Sequence, residues 1–325
     1  MDVSGSPRPV SVSRAAFALI LLGLLGSLAT LRADLLPDLL PNLLPPLDRE
    51  CLALGLFSLL SGIASVTSQA RKSAWPQGRP LGLAILIGLG FFVVPTMLSE
   101  PTVGWISPIT CAALFTLTPF FALIFAPYIM QEAGRQNGLS LPAAILAAAG
   151  TMLALPISMP ASLPAIASFG AIGLAAACVA ATTCLAVAVF HPHESASRAR
   201  EPAPGIASFA AIATATACLG IGAIAAFREP HSWHLDALPS SLGWEAAIEL
   251  PALLLFFWLI PRTTAPRIAT RFTLTLLFPI LIGAPLLGSH LTLRDWIGVA
   301  MMAAGTAYLL LARDQEPDSP GLSLR

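Results

Sequence analysis

From Leu163 to Phe190 the chain reads LPAIASFGAIGLAAACVAATTCLAVAVF, with no charged side chain in it. A helix of roughly 20 apolar residues crosses a hydrocarbon core about 30 Å thick, and this run is longer than that. Other predominantly apolar runs lie at residues 15–31, 51–67, 81–98, 103–130, 141–155, 205–227, 242–260, 268–288 and 296–312. Lipid offers backbone groups no hydrogen-bond partner, so a spanning segment must be a helix or a strand of a closed barrel. Barrel strands alternate apolar and polar residues, and these segments are too long and too uniformly apolar for that. Charged residues make up 10% of the chain, against about 25% in soluble domains. A soluble domain of this length has too little interior to hide so much apolar surface. The expected fold is an all-α polytopic membrane protein with ten transmembrane helices, and its first partner is the lipid bilayer. The formal net charge of +0 gives no reason to expect a nucleic-acid partner.

The loops set the orientation, because cytoplasmic loops carry the excess of Lys and Arg. Ten crossings that start inside leave Arg32, Arg49, Arg228 and Arg294 outside and put the other 13 of the 17 Lys and Arg in the cytoplasm. Shifting the count by one spoils this bias. Both termini are therefore expected in the cytoplasm, with the chain in the cell (inner) membrane. One rival concerns the first segment: Arg14 precedes an apolar run, and Ser27-Leu28-Ala29 resembles a cleavage site for a signal peptide. Cleavage there would leave nine crossings. The prolines of LLPDLLPNLLPPL, residues 35–47, exclude a regular helix and imply an outer loop. The five cysteines lie in apolar runs without CxxC or Cys/His zinc spacing, and read as small helix-packing residues.

The two halves echo each other. AAGT occurs at Ala148–Thr151 and again at Ala303–Thr306. Upstream, ALFTLTPFFALIFAP matches TRFTLTLLFPILIGAP, each with FTLT and then a proline, Pro119 or Pro279. The organisation is then a tail at 1–13, five-helix units at 14–157 and 158–312, and a polar tail at 313–325. Five is odd, so the second unit enters the membrane from the opposite side. Such two inverted five-helix repeats are typical of secondary transporters, whose site lies near the midplane between the halves. Pro119 and Pro279 are expected to break a backbone bond in the fourth and ninth helices.

This pattern resembles the drug/metabolite transporter superfamily, in its EamA-type branch of ten-helix permeases. The resemblance covers roughly residues 14–312. It is clearest in LLFPILIGAPLLGSHLTLRDWIGVAMMAAGTAYLLL, with a proline in the ninth helix, a short turn and a Trp/Gly-led tenth helix. PPLDRECLALGLFSLL is similar to the family's second-helix start, where Arg49 stands. The chain departs from the family at Leu287-Gly288-Ser289-His290, where members commonly carry Leu-Gly-Glu. The resemblance implies transport of small organic solutes, often outward and often with protons, with both termini cytoplasmic. It implies no cofactor, and no GxxxxGK[ST] phosphate loop is found.

An ionisable group inside the membrane is a functional candidate by default. Glu245 and Glu249, four residues apart, are expected to share one face of the eighth helix. A partly desolvated carboxylate can load and release a proton, so Glu249 is the first candidate for proton coupling. Arg271 is a candidate for a carboxylate-bearing substrate, since its fork accepts two oxygens. Trp105, Thr116 and Thr118 beside Pro119, and Thr275 beside Pro279, complete the substrate-binding candidates. Arg49 and Glu50 read as a solvated pair at the outer mouth of the second helix. Gly82, Gly88, Gly90, Gly220 and Gly222 are candidates for close helix approach.

The leading expectation is a secondary transporter, an exporter of small organic metabolites working by alternating access. The alternative is a polytopic membrane enzyme acting on lipid or isoprenoid substrates. Its best feature is REPHSWHLDA, where His231, His234 and Asp236 have spacing for a metal. HPHE at 191–194 is a weaker metal pattern, and a membrane scaffold or sensor is a third class.

Overall fold

The structure, a computed structural model, describes residues 12–35, 44–68, 75–99, 102, 104–130, 138–157, 162–191, 204–228, 238–286 and 291–311. Among the described residues the fold is all-helical, with no strand. Most of the proline-rich stretch, Glu100, the HPHE stretch beyond His191, the His231/His234/Asp236 cluster, residues 287–290 and most of both tails lie outside them.

The helices group into rods that follow the apolar segments. They are α1 (Val12–Leu35), α2 (Pro46–Ser68), α3 (Arg79–Ser99), α4 (Pro108–Ile129) and α5 (Ser140–Ala154). Then come α6 (Leu163–Phe190) and α7 (Ile206–Arg228). In α8 the helices Leu238–Trp244 and Leu250–Leu259 are joined by a π-turn. In α9 the helices Ala265–Ala269 and Arg271–Leu286 meet at Thr270. Last is α10 (Leu293–Leu311). Among the described residues seven are long and apolar enough to cross a membrane, belonging to α2, α3, α4, α6, α7, α8 and α9. Shorter apolar stretches, Arg14–Leu28 and Ser140–Ala154, lie in α1 and α5. α10 opens on Arg294 and Asp295, which dilute its apolar character.

Local chemistry starts the rods. The Ser107 hydroxyl accepts from the Thr110 N–H ahead of Pro108, and the Ser162 hydroxyl accepts from the Ala165 N–H. Before α10, Thr292 and Asp295 form a reciprocal capping box: the Thr292 N–H donates to the carboxylate at 2.8 Å and its hydroxyl accepts from the Asp295 N–H at 3.4 Å.

Packing relies on small residues, because lipid tails give helices no hydrophobic reason to associate. α5 lies along α10, α2 along α7, α1 along α9 and α4 along α6, while α3 contacts both α6 and α7. Gly150 and Gly298 let α5 and α10 touch backbone to backbone: a Cβ on Gly150 would sit 2.6 Å from the Gly298 carbonyl oxygen. Ala143 meets Gly305 and Ala154 meets Gly298, so this pair is antiparallel. Cys51 meets Gly222, and the Ser58 hydroxyl donates to the Ala211 carbonyl at 2.9 Å, so α2 and α7 are antiparallel too. Gly88 meets Ala213 and Val93 meets Gly220, so α3 and α7 are parallel. Gly90 meets Thr182 of α6, whereas Gly82, expected in such a contact, has nothing within 4 Å. Large apolar side chains, Phe17, Leu59, Ile63, Leu219 and Phe227 among them, face outward, as a lipid-facing surface requires.

Prolines shape the backbone inside the rods. A proline removes the N–H that would bond the carbonyl four residues back. Pro119 so strips Phe115, and the Thr118 hydroxyl donates to that carbonyl instead, at 2.6 Å. α4 breaks just ahead of Pro119, at Thr116-Leu117, where the bonds tighten to Thr116 N–H with Ala113 and Leu117 N–H with Leu114. Pro279 costs α9 a bond without interrupting it: the helix runs unbroken from Arg271 to Leu286, and the break falls at Thr270. What Pro279 removes is one bond, to the Thr275 carbonyl. π-turns precede two further prolines, Leu89–Val93 before Pro95 in α3 and Glu245–Glu249 before Pro251 in α8.

Candidate functional site

A cavity of about 360 Å³ opens between α2, α3, α4, α6, α8 and α9. Its apolar wall comes from residues such as Phe92, Phe115, Val179 and Leu253. Its polar groups are few: Glu50, Thr96, Glu249, Arg271 and Thr275. An apolar pocket with a few convergent polar groups is the usual form of a small-molecule site. The irregular backbone described above surrounds it. Phe91, Phe92 and Pro95 come from the π-turn of α3 and its proline, Glu249 ends the π-turn of α8, and Phe115 and Thr275 carry the carbonyls that Pro119 and Pro279 strip. π-turns are frequent at functional sites, and non-helical backbone at membrane depth is tolerated where it lines a cavity.

Arg271 is the centre of the arrangement. Its guanidinium lies 4.7 Å from the Phe91 ring, 4.8 Å from Phe256 and 4.6 Å from Phe272. Phe91 and Phe256 are themselves stacked at 4.5 Å. Three ring faces hold the cation by their quadrupoles. The Glu249 carboxylate acts on it electrostatically. This places a cation among three aromatic rings and an acid in the lining of one otherwise apolar chamber. A guanidinium so held can take both oxygens of a carboxylate or phosphate-like group.

Of the residues singled out from sequence, Glu249, Arg271 and Thr275 line this cavity. Thr116 and Thr118 are buried, and their hydroxyls donate to the carbonyls of Ala113 and Phe115, each at 2.6 Å; they serve their own turn. Pro119 is buried beside them, and Pro279 acts through the Thr275 carbonyl. Trp105 is 55% exposed in the turn before α4 and stands apart from the cavity lining. Glu245 opens the π-turn that Glu249 closes. That turn alters the four-residue register which would align the two positions on one face. The side chain of Glu245 lies outside the described residues.

Sequence reading did not foresee Glu50 in the lining. It also missed Phe91, Phe256 and Phe272 as partners of Arg271. The available signal was FF immediately before VVP in the third segment and before WLIP in the eighth. Elsewhere, Arg262 at the end of α8 lies 4.4 Å over the Trp258 ring and donates to the Trp258 carbonyl at 2.7 Å. Among the described residues no group of His, Cys, Asp and Glu could hold a metal.

No family model matches the chain. No curated protein matches it. Among 27 matching chains of solved structures, one described as "Crystal structure of protein" superposes with a TM-score of 0.65 at 17% identity. The match covers 92% of this chain and 99% of that one. At that identity the likeness speaks to the fold alone: the helical arrangement occurs in solved proteins over nearly the whole length.

Proposed function

We propose that this chain is a secondary transporter of small organic metabolites, an exporter of the drug/metabolite type in its EamA-like branch. It works by alternating access around the cavity between α2, α3, α4, α6, α8 and α9. Arg271 in its aromatic box is the observation that carries the reading. A desolvated cation is costly unless a structure is built to hold it. Here three rings hold it against a chamber of small-molecule size. Arg271 receives an anionic group of the substrate, and Glu249 takes up and releases the coupling proton.

Ten crossings in two inverted five-helix units are part of this proposal, with both termini in the cytoplasm of a cell whose inner membrane holds the chain. Helix pairing supports it. Number α1–α5 and α6–α10 as equivalents: α2 packs on α7 and α5 on α10, each with its own counterpart, while α1 on α9 mirrors α6 on α4. α3 and α8 both carry a π-turn that ends two residues before a proline. Each of these relations is what a two-fold axis in the membrane plane generates. Direction supports it as well, since α7 runs antiparallel to α2 and parallel to α3, and consecutive crossings must alternate. The copies differ in detail, α4 breaking at Thr116 and α9 at Thr270.

The test is paired metabolite profiling of medium and cell extract. Cells overproducing the wild type, Arg271→Ala, Glu249→Gln and no protein are compared. A metabolite with an anionic group that accumulates outside only with the wild type is the expected result. No metabolite differing between the wild type and the empty control, with the protein present in the membrane, would sink the exporter reading.

A further inference from the structure

CLALG in α2 and CLGIG in α7 occupy equivalent helices of the two units, Cys51 to Gly55 and Cys218 to Gly222. In the antiparallel α2–α7 pair these motifs meet face to face. A Cβ on Gly222 would lie 3.2 Å from the Cys51 Sγ, and one on Gly55 would lie 3.3 Å from the Cys218 Sγ. Each glycine thus makes room for the thiol of the opposite helix. The result is a pair of sulfurs at the crossing, Sγ to Sγ 3.3 Å. The Cys51 thiol also lies 3.4 Å from the Cys218 carbonyl, to which it donates. Both thiols are free and only half-buried, while Cys184 is buried and donates to the Ala122 carbonyl instead. The neighbour Glu50 lines the central cavity.

We propose that Cys51 and Cys218 are a dithiol oxidation site whose disulfide staples α2 to α7 beside the cavity. A disulfide needs an Sγ–Sγ length of about 2.05 Å and close Cβ atoms. From 3.3 Å, small side-chain rotations suffice, because glycines already hold the helices together. Hydrogen peroxide, a small neutral oxidant, supplies the two-electron step. One sulfur attacks a peroxide oxygen; the O–O bond breaks, a sulfenic acid forms and one water leaves. The second sulfur attacks that sulfenic sulfur; the S–O bond breaks, the S–S bond forms and a second water leaves. Two thiols are oxidised and one peroxide is reduced to two waters. Excess dithiol reverses the bond by exchange.

The consequence for transport rests on the proposed function. α2 belongs to the first unit and α7 to the second, so the bond joins the two bodies that alternating access must move against each other. In the proposed topology the pair sits toward the outer face of the membrane, where disulfides persist.

The experiment treats the full-length protein in native membranes with hydrogen peroxide. Free thiols are then alkylated, and the chain is digested without reduction and read by mass spectrometry. The expected result is a linked peptide joining Cys51 to Cys218 as the main oxidised species, lost after dithiothreitol, with Cys111, Cys178 and Cys184 alkylated. Both cysteines alkylated after peroxide, or overoxidised to sulfinic acid, or linked to other cysteines, would overturn the site. A second arm reads efflux of the metabolite found by profiling. Wild-type efflux should be lost on oxidation and return with dithiothreitol, while Cys51→Ser and Cys218→Ser should be indifferent to peroxide. If the linked peptide forms and wild-type efflux persists, the disulfide site stands and the proposed rocking of the halves falls. If the peptide forms and the wild type never transports, the site stands and the transporter reading falls.

Discussion

Arg271 carries the most weight of any single residue, because a planar cation among three phenylalanine rings is a specific arrangement. Lysine keeps the charge there but loses the plane that stacks and the fork that takes two oxygens. Cation–π contacts are worth about 0.5–2 kcal/mol each, and about 1.4 kcal/mol corresponds to a tenfold rate. Arg271→Lys should therefore lower the initial efflux rate by about tenfold or more while the protein still elutes as a single species in detergent. An unchanged rate would remove Arg271 from the site. For Glu249→Gln, the expected outcome is efflux that no longer responds to an imposed pH gradient; a retained response assigns coupling elsewhere. These two residues were legible in the sequence for one reason, that each is ionisable inside an apolar segment. Thr116 and Thr118 were legible only as polar groups near a proline. Whether a helix threonine faces a cavity or bonds its own turn depends on local backbone geometry, which composition does not encode. The Cys51–Cys218 pair escaped for a related reason: two cysteines 167 positions apart acquire meaning only when the helices that carry them are paired.

Helix pairs differ here in how closely their backbones approach. Those of α5 and α10 touch at Gly150 and Gly298, so even one added methyl must displace a main chain. Gly150→Ala, whose Cβ would meet the Gly298 oxygen and the Met302 nitrogen at 2.6 Å, should cost about 1–3 kcal/mol. It should lower the thermal unfolding midpoint in detergent by several degrees. Gly62→Ala is the counterpart. Nothing lies within 4 Å of its added Cβ, and replacing a helical glycine gains about 0.5–1 kcal/mol, so its midpoint should hold or rise. Equal effects of the two changes would refute the α5–α10 contact. The π-turns of α3 and α8 behave differently. Each sits next to the cavity and ahead of a proline that cannot close the regular ladder. Restoring the N–H in Pro95→Ala or Pro251→Ala should stiffen the helix, raising the unfolding midpoint and slowing efflux together. A faster or unaltered efflux would deny these turns a part in the motion. Hydropathy located the rods well, 163–190 at both ends of α6, but could not see the breaks. A π-turn or a tightened turn changes which backbone atoms bond and leaves the apolar count untouched.

At the scale of the whole molecule, the proposed ten crossings draw on two separate observations, the charge bias of the sequence and the helix directions. One uses where 17 basic side chains stand; the other uses which backbone atoms touch across α2–α7, α3–α7 and α5–α10. α7 runs antiparallel to α2 and parallel to α3, so the chain reverses between α2 and α3. α5 and α10 run antiparallel, so an odd number of reversals separates them, and five connections supply it. The length criterion is stricter, counting seven spans, because α5 is short, α10 begins with a charged pair, and α1 offers only Arg14–Leu28 as an apolar stretch. A reporter experiment decides between the counts. Green fluorescent protein and alkaline phosphatase are fused in turn after residue 313, in the α6–α7 connection and in the α7–α8 connection. Ten crossings predict fluorescence and no phosphatase activity at the first two positions, and the reverse at the third. Phosphatase activity after residue 313 would put that point outside and sink ten crossings with both termini in the cytoplasm. A cleaved first helix would instead leave all three reporters where ten crossings put them and shorten the mature protein. Measuring the mature N-terminus in the same samples therefore separates cleavage, which removes most of α1 and with it the α1–α9 counterpart of the α4–α6 pair, from a miscounted span.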